Sequence, residues 1–232
     1  MELTLYLGDY AYSSWSLRGW LLLDAFGVAF QKRYAHMRTP EFEAMRTEMV
    51  PSRLVPALKI TDQGRDRMVW ETMTIAETVA ELFPEAGLWP KGAADRALAR
   101  ALAAEMHAGF TALRGACPMN MRRAYAGFEP DAEVLADLER LSAIWAHARA
   151  NRQGEGAFLL GPFTAADAFY APIASRIATY GLEMSEADTA YVAAILAHPS
   201  IQRWYAMAKQ DGHVQAHYEF DYADRANPHD VD

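Results

Sequence analysis

Ser13 and Ser14 are the first residues in the chain that could do chemistry, because they lie where a predicted loop meets a predicted helix. Serine is a favoured helix N-cap, so capping alone accounts for one of them. A helix N-terminus also presents free amide groups and the positive end of the helix dipole, and both favour an anion, including a thiolate, beside the hydroxyl. The sequence therefore allows a structural cap, an anion-stabilising hydroxyl, or both.

Two further segments place ligand-binding groups at the ends of predicted strands. Val55-Pro56 begins a short strand, where proline is allowed. A cis bond before Pro56 would turn the Val55 amide and carbonyl outward, toward an extended peptide-like ligand. Glu71 and Thr72 open a helix directly after another strand and suit ordinary first-turn positions. The same positions let the carboxylate hold an ammonium group while the helix start holds a carboxylate.

The pattern of apolar residues predicts the elements that must position these groups. The N-terminal part is predicted to be an α/β thioredoxin-like domain, in the order βαβ, a loop with a short helix, then ββα. The residues after it carry apolar positions at spacings of three and four, which predicts an all-helical C-terminal bundle. We predict strands at residues 3–7, 28–34, 55–60 and 68–70, and helices at 13–26, 41–45, 71–82, 94–114, 131–151, 165–180, 185–197 and 200–209.

The domain organisation follows from the same pattern. Residues 84–92 contain two prolines and two glycines and are the natural linker. We therefore expect a first domain at residues 1–83 and a helical second domain at residues 93–232. The acidic, proline-containing stretch at 220–232 is expected to pack loosely or to fray.

Composition and charge exclude several classes of function. The net charge of −8 and the isoelectric point near 5.4 disfavour nucleic acid and anionic membranes as partners, because both require a basic surface. The apolar stretches are far shorter than the roughly 20 residues of a membrane span. The chain begins with Met1-Glu2 and not with a basic signal region, so we expect a cytoplasmic protein.

Cysteine and histidine usage argues against redox and metal chemistry. Cys117 is the single cysteine, so an intrachain disulfide, a multi-cysteine zinc site and dithiol exchange are excluded. His213 and His217 are the one histidine pair with helix-ligand spacing, and no Glu-x-x-His pattern supports them. We expect no bound metal.

Four segments together resemble the glutathione transferase family. Residues 10–18 resemble its serine motif, especially that of the zeta-type members, in which Ser-Ser-x-Ser precedes a basic residue. Residues 50–58 are similar to its Asn-Pro-x-x-x-Val-Pro-x-Leu segment, and residues 71–75 resemble its Glu-Ser-x-x-Ile segment. Residues 163–167 match its Ser/Thr-x-x-Asp helix start, a capping box. Each motif is weak alone, but four in the right order are specific.

The resemblance implies roles for particular residues and a soluble homodimer that uses glutathione as co-substrate. Ser13 would donate to the glutathione sulfur and stabilise its thiolate, with Ser14 as the neighbouring candidate. We prefer Ser13 because it precedes Arg18 by the five residues that the family motif shows. Thr164 and Asp167 would be structural. The implied glutathione-binding residues are Arg53, Leu54, Val55, Pro56, Glu71 and Thr72.

Three positions depart from the family pattern. Leu54 stands where the family often has a lysine or glutamine that binds the glycyl carboxylate, and Arg53 or Arg38 could substitute for it. Val50 replaces an asparagine, which alters a turn. Trp15 stands where the zeta-type isomerases commonly have cysteine.

The pocket for the second substrate is less defined in the sequence. Residues 117–123 follow the first long predicted helix, where the family's electrophile pocket is usually walled. Arg122 and Arg123 could hold an acidic substrate, although a basic pair is more often a solvated face. Cys117 is expected to be a small buried residue. The candidates for this pocket are Tyr12, Trp15, Met119 and Arg122.

Three functional hypotheses remain open from the sequence. The first is glutathione S-transferase activity, in which the bound thiolate attacks a small electrophile. The second is glutathione-dependent cis-trans isomerisation of the maleylacetoacetate isomerase type, which adds and then expels the thiolate. The third is a transferase-like binding module without turnover. Retention of Ser13, Val55-Pro56 and Glu71-Thr72 argues against the third.

Overall fold

The structure is a computed structural model and describes residues 1–230. Its first part forms four strands: β1 Glu2–Leu7, β2 Gln31–Tyr34, β3 Ala57–Asp62 and β4 Arg65–Trp70. They make one mixed sheet in the order β2-β1-β3-β4, in which β1 is parallel to β2, and the β1–β3 and β3–β4 pairs are antiparallel. Helices α1 Ser14–Asp24 and α2 Pro40–Glu48 connect strands of this sheet, and α3 Thr72–Leu82 follows β4. The predicted thioredoxin-like order is confirmed.

The alternation in β1 divides the core between the two faces of the sheet. Leu5 and Leu7 lie in the main hydrophobic core, which includes the buried residues of α1 and α3. Tyr6 points to the other face, where it packs in a smaller cluster with Phe42 and Met45 of α2. Successive strand residues face opposite sides, so the period of two in the sequence is the cause of this division.

The remainder of the described chain is helical, as predicted. It contains six α-helices, α4 Ala93–Ala108, α5 Thr111–Ala116, α6 Ala132–Asn151, α7 Ala165–Tyr180, α8 Glu186–Leu196 and α9 Pro199–Gln210. The single helix predicted at 94–114 is wrong, because it is broken at Gly109-Phe110. Phe110 has a φ of 58°, a left-handed conformation that ends the helical path before α5. No described helix meets the length and hydropathy needed to cross a membrane.

Helix α7 is the central helix of the molecule and packs against α1 and α4. Its start is the predicted capping box, in which the Thr164 amide donates to Asp167 Oδ2 across 2.8 Å. Asp167 is fully buried and also accepts from the Leu159 amide and the Tyr191 hydroxyl. Burial raises the pKa of Asp167 to about 6, while these hydrogen bonds act in the opposite direction. The capping box therefore fixes the helix that later contributes to the candidate site.

The prediction that the C-terminal stretch packs loosely is wrong for the residues that the structure describes. Strand β6, Ala223–Asp224, pairs with strand β5, Tyr125–Ala126, and neither strand was predicted. His229 is completely buried, and its Nε2 lies 2.9 Å from Ser175 Oγ on α7. Asp230 accepts from the Tyr205 hydroxyl at 2.9 Å. Residues 231–232 of the predicted loose stretch lie outside the described part.

Candidate active site

Ser13 is the N-cap of α1, as its position in the sequence predicts. Its Oγ accepts a hydrogen bond from the Ser16 amide at 3.2 Å and lies 2.8 Å from Ser16 Oγ. The Gly8 amide, at the end of β1, donates to Ser16 Oγ at 2.9 Å. These contacts fix the Ser13 hydroxyl at the start of a helix, where the free amides and the dipole favour a neighbouring anion.

Eight residues were predicted to act on or bind glutathione, and seven of them line one cavity of about 590 Å³. The cavity lies where the loop after β1, the loop before β3 and the junction of β4 with α3 meet. Ser14 lines a second cavity instead, while Ser13 lines both. The predicted residues that line the first cavity are Ser13, Arg53, Leu54, Val55, Pro56, Glu71 and Thr72. The lining residues that were not predicted as ligand contacts are Met37, Phe42, Glu43, Pro51, Ser52 and Trp70. Trp70 could have been found from sequence, since it ends β4 next to Glu71.

The Val55-Pro56 bond is cis, which agrees with the sharper of the two interpretations of this dipeptide, and Val50-Pro51 is also cis. Within residues 1–230, no backbone or side-chain group hydrogen-bonds to the Val55 amide or carbonyl. Buried backbone groups are nearly always paired in folded proteins. An unpaired amide and carbonyl on the wall of a cavity can therefore pair with the backbone of a peptide-like ligand.

Glu71 and Thr72 form the opposite end of the first cavity. Glu71 has a φ of 66°, a conformation that is costly for a residue with a Cβ and that recurs at active sites and ligand-binding sites. Thr72 is fully buried, and its Oγ1 lies 3.3 Å from Nδ1 of His107 on α4. Nε2 of His107 lies 3.6 Å from Glu71 Oε2. Nothing in the sequence pattern indicated His107, which lies on a helix 35 residues beyond Thr72.

The pKa of His107 is lowered, first by burial and then by the positive charge of Arg18. Glu71 acts in the opposite direction and Arg114 in the same direction as Arg18. The neutral imidazole is therefore the favoured form at neutral pH. It links the start of α3 to the helical part of the chain without adding a positive charge.

Leu54 contributes no lysine-like group to the first cavity. Its side chain is 73% exposed and carries no hydrogen-bonding atom. Arg38 and Arg53, the two substitutes that the sequence offers, both line the same cavity. Arg38 also donates from Nη1 to His217 Nδ1 at 3.0 Å, so its guanidinium is held in place.

The second cavity has a volume of about 380 Å³ and adjoins the first at Ser13 and Trp15. Tyr12 and Trp15, two of the four predicted candidates, line it. Residues from the helical part complete the wall, and among them only Pro118 belongs to the stretch 117–123 that the sequence indicated. They are Thr111, Arg114, Gly115, Pro118, Arg176 and Tyr218.

Met119 and Arg122 do not line the second cavity, so these two predictions are wrong. Met119 is completely buried in the main core. Arg122 instead donates to the hydroxyl of Tyr12 and to the carbonyls of Asp211 and His213. Its guanidinium is used to attach the segment after α9, because this segment offers carbonyl oxygens within reach. The Tyr12 hydroxyl donates to Glu219, and burial together with this bond raises the pKa of Tyr12 to about 12.

Cys117 is buried, as expected for a small core residue. Burial raises the pKa of its thiol to about 12, so the reactive thiolate is disfavoured. Cys117 lies outside both cavities described above.

The histidines of the C-terminal segment do not form the helical pair that their spacing suggests. His213 lies outside a helix and stacks on His36 with ring centres 4.1 Å apart and an interplanar angle of 19°. Asp9 has a carboxylate oxygen within 4.8 Å of a nitrogen of each ring. Two nearly parallel, stacked rings cannot both direct a lone pair at one ion, and Asp9 already accepts from the Met37 amide at 2.8 Å. The group therefore acts as a packing contact between the loop after β2 and the segment after α9.

Comparisons with known proteins agree with this architecture. Residues 12–82 match the family model described as glutathione S-transferase, N-terminal domain. A glutathione transferase homologue from Burkholderia gl BGR1, solved with bound glutathione, is 22% identical at a TM-score of 0.65, over 90% of this chain and 99% of that chain. A maleylacetoacetate isomerase from Anaeromyxobacter dehalogenans 2CP-1, also with glutathione bound, is 26% identical at a TM-score of 0.63, over 90% and 98% of the two chains.

A third solved structure extends the likeness to another class of the fold. Glutathione transferase Omega 3C from Trametes versicolor is 21% identical at a TM-score of 0.64, over 88% of this chain and 89% of that chain. A comparison with the curated proteins finds no match. The described chain thus has the glutathione transferase fold, with a thioredoxin-like N-terminal domain and a helical C-terminal region.

Proposed function

We propose that this chain, which has the glutathione transferase fold, is a glutathione S-transferase that delivers the glutathione thiolate to a small electrophile. One observation carries the proposal. A single cavity brings together Ser13, Val55 and the Glu71-Thr72 pair from three separate junctions of the sheet. The hydroxyl at a helix start matches the thiol of glutathione. The free backbone amide and carbonyl match its peptide backbone, and the carboxylate beside a second helix start matches its γ-glutamyl end.

Ser13 acts on the sulfur in this proposal. Its hydroxyl donates to the thiolate, and the start of α1 adds the favourable dipole, so the thiol pKa of bound glutathione falls below that of the free tripeptide. Ser16 and Gly8 support the geometry through the hydrogen bonds described above. The protein contributes no covalent nucleophile, because Cys117 is buried with a raised pKa.

The remaining groups hold the rest of the tripeptide. Val55 pairs with the cysteinyl backbone, Glu71 binds the γ-glutamyl ammonium, and the Thr72 amide and hydroxyl bind its carboxylate. The conformational cost of the positive φ at Glu71 is consistent with a ligand site. Arg38 binds the glycyl carboxylate in place of a group on Leu54, because His217 already orients it.

An isomerase of the maleylacetoacetate type is the alternative that one observation favours. Its substrate is a dicarboxylate, and Arg114 and Arg176 both line the second cavity. Trp15 at the position where such isomerases commonly have cysteine makes this the second candidate. Both reactions use the same thiolate, so Ser13 keeps its role in either.

We also propose a cytoplasmic homodimer. The one cysteine is unpaired and buried, which suits a reducing compartment. Leu54 and Trp70 are exposed apolar side chains at the first cavity, with exposed fractions of 73% and 44%, and a second copy packing near this cavity would cover them. Light scattering after size exclusion tests the stoichiometry, and a monomer at micromolar concentration contradicts it.

The test of the activity is calorimetric titration of glutathione into the wild type, Ser13→Ala and Ser14→Ala, with the ultraviolet absorbance of the thiolate measured in each complex. Ser14→Ala is the matched control because Ser14 lines only the second cavity. We expect all three proteins to bind, and only Ser13→Ala to lose the thiolate signal. If the wild type does not bind glutathione, the proposal fails. If Ser14→Ala loses the signal and Ser13→Ala keeps it, the assignment of the hydroxyl is wrong.

A further inference from the structure

Three arginines from three different helices converge beside the second cavity. Arg114 on α5 and Arg176 on α7 line it. Arg18 on α1 is packed on the ring of Trp15, with its Cζ 4.5 Å from the ring centre, and the Cζ of Arg114 lies 5.2 Å from the same centre. Trp15 itself lines the cavity. Arg18 and Arg114 therefore both contact Trp15, and Arg114 and Arg176 share the wall of the second cavity.

These charges have no counter-ion in the described part of the chain. Within residues 1–230, no aspartate or glutamate forms a salt bridge with Arg18, Arg114 or Arg176. Elsewhere the chain does pair such groups, since the buried carboxylate of Asp188 accepts from Arg149 at 2.7 Å. Arginine keeps its proton in proteins, so like charges that are close together and unpaired are costly unless an anion joins them.

Arg18 shows this cost most clearly. It is completely buried, and its Nε, Nη1 and Nη2 atoms all lack a hydrogen-bond partner among the described residues. Burial, followed by the charges of Arg114 and Arg176, lowers the pKa of Arg18 well below its ordinary range. Burial likewise lowers the pKa of Arg176 to about 10, with Arg114 as the next cause.

The two arginines on the cavity retain donors for a ligand. Arg176 donates from Nε to the Cys117 carbonyl at 2.8 Å and from Nη1 to the Pro172 carbonyl at 3.1 Å, and no described residue engages its Nη2. Arg114 donates from Nη1 to the carbonyls of His107 and Gly109, at 3.4 and 3.1 Å. Backbone carbonyls thus fix both guanidinium groups and leave other N–H groups free, an arrangement suited to a carboxylate.

We propose that the second cavity is a carboxylate-binding site, so that the electrophile delivered to glutathione is a small organic acid. This rests on the proposed transferase function. Arg114 and Arg176 bind the carboxylate, and Arg18 strengthens the positive potential from beneath Trp15 as a positioning residue. The reacting carbon faces the sulfur at Ser13, which lines both cavities.

A chloronitrobenzoate, with chlorine para to the carboxylate and ortho to the nitro group, is a suitable probe, and the corresponding chloronitrobenzamide is its uncharged match. With either compound the glutathione sulfur forms a bond to the ring carbon, the carbon–chlorine bond breaks, and chloride leaves with the electron pair. The carboxylate takes no part in the bond changes. The two probes therefore differ in charge, and their uncatalysed rates with free glutathione correct for their different reactivity.

The experiment has a binding arm and a kinetic arm. Calorimetry first measures both probes on the wild type without glutathione, and we expect the acid to bind roughly tenfold or more tightly than the amide, the range for hydrogen bonds to charged groups. With saturating glutathione, kcat/KM corrected for the uncatalysed rates should favour the acid by a similar factor. Arg114→Gln should lose this preference, while Arg114→Lys should retain part of it. Arg65→Gln, at the exposed first residue of β4, is the matched control and should behave as the wild type.

The outcomes separate this inference from the transferase proposal. If the wild type binds glutathione but binds acid and amide equally, the carboxylate site is wrong and the transferase proposal stands. If glutathione fails to bind while the acid is still preferred, the carboxylate site stands and the transferase proposal fails. If Arg114→Gln does not fold, the wild-type comparison and Arg114→Lys decide the question. A preference that is reduced in Arg114→Lys supports the site, and a preference that is unchanged in both Arg114→Lys and Arg176→Lys excludes these two arginines as the carboxylate ligands. Equal binding of both probes to every folded variant overturns the inference.

Discussion

The hydroxyl oxygens of Ser13 and Ser16 lie 2.8 Å apart at the start of α1, and the Gly8 amide donates to the second of them at 2.9 Å. The Ser13 hydroxyl donates to Ser16 Oγ, which can accept it because the Gly8 amide uses only one of its two lone pairs. When a thiolate occupies the first cavity, the Ser13 hydroxyl can turn to this charged and stronger acceptor, and the Ser16 hydroxyl can then donate to Ser13 Oγ. The end of β1 and the first turn of α1 therefore orient one hydroxyl for an anion in that cavity.

Ser16→Ala is predicted to weaken thiolate formation without abolishing glutathione binding. Loss of one supporting hydrogen bond costs about 1 kcal/mol, which corresponds to roughly fivefold less thiolate at a pH below the thiol pKa. A pH titration of the thiolate absorbance in the complex measures the shift. Ser14→Ala is the control, and a Ser16→Ala titration curve that overlays the wild-type curve would contradict the orienting role.

Arg38→Gln is predicted to weaken glutathione binding but to leave the binding of γ-glutamylcysteine, which lacks the glycyl carboxylate, unchanged. A charge-assisted hydrogen bond contributes about 1.5–3 kcal/mol, so the loss for glutathione should be roughly tenfold or more. Calorimetry with both ligands gives the comparison. Arg53→Gln tests the other possible substitute on the same cavity, and Arg65→Gln, at the exposed start of β4 and outside this cavity, is the control. An equal loss for both ligands would show that Arg38 does not bind the glycyl end.

Much of the first cavity could be predicted from sequence because its groups lie at junctions between elements. Ser13, Val55 and Glu71 each lie where the spacing of apolar residues changes or a predicted strand ends, and such points can be recognised from the sequence alone. The thioredoxin-like order then determines that the three junctions meet. His107 is different, because it reaches Thr72 from within a helix whose pattern gives no sign of that contact.

The second cavity could not be predicted because its wall depends on how helices cross. Arg114 and Arg176 lie 62 positions apart, on helices α5 and α7, and only packing brings them together. Arg122 was a reasonable candidate by position, but carbonyls of the segment after α9 recruit its guanidinium. The acidic C-terminal stretch is ordered for a similar reason, since Arg123 binds Asp224 and Lys209 binds Asp230 at 2.8 and 2.7 Å.

His229 is predicted to make stability depend on pH in the mildly acidic range. Burial lowers its pKa in the native state from 6.5 to about 4. Between pH 6.5 and pH 4 the imidazole is protonated in the unfolded chain but not in the native protein. The stability that the neutral buried His229 contributes is therefore fully present above pH 6.5 and is lost as the pH falls toward 4. The full difference is about 3 kcal/mol in the free energy of unfolding.

Urea unfolding of the wild type and His229→Gln at a series of pH values measures the effect. Between pH 6.5 and pH 4, the free energy of unfolding of His229→Gln should fall less steeply with decreasing pH than that of the wild type. His147→Gln, which replaces an exposed histidine, is the control and should keep the wild-type slope. Parallel curves for wild type and His229→Gln would show that the pKa of this imidazole is the same in the native and unfolded states, which would contradict the prediction.

Arg18→Met is predicted to stabilise the unliganded protein and to impair the recognition of acids. The guanidinium of Arg18 is completely buried with no hydrogen-bond partner among the described residues, and methionine fills a similar volume without a charge. Replacing buried charged groups by apolar ones of similar size is often neutral or stabilising by about 1–4 kcal/mol. Some of the gain is offset by the lost contact with Trp15, whose ring centre lies 4.5 Å from the Arg18 Cζ.

Thermal and urea unfolding measure the stability of Arg18→Met, and the ratio of chloronitrobenzoate to chloronitrobenzamide affinity measures the electrostatic effect. A more stable variant with a reduced ratio would show that the fold accepts an unpaired charge for the benefit of ligand binding, whereas a destabilised variant with an unchanged ratio would make Arg18 a packing residue only.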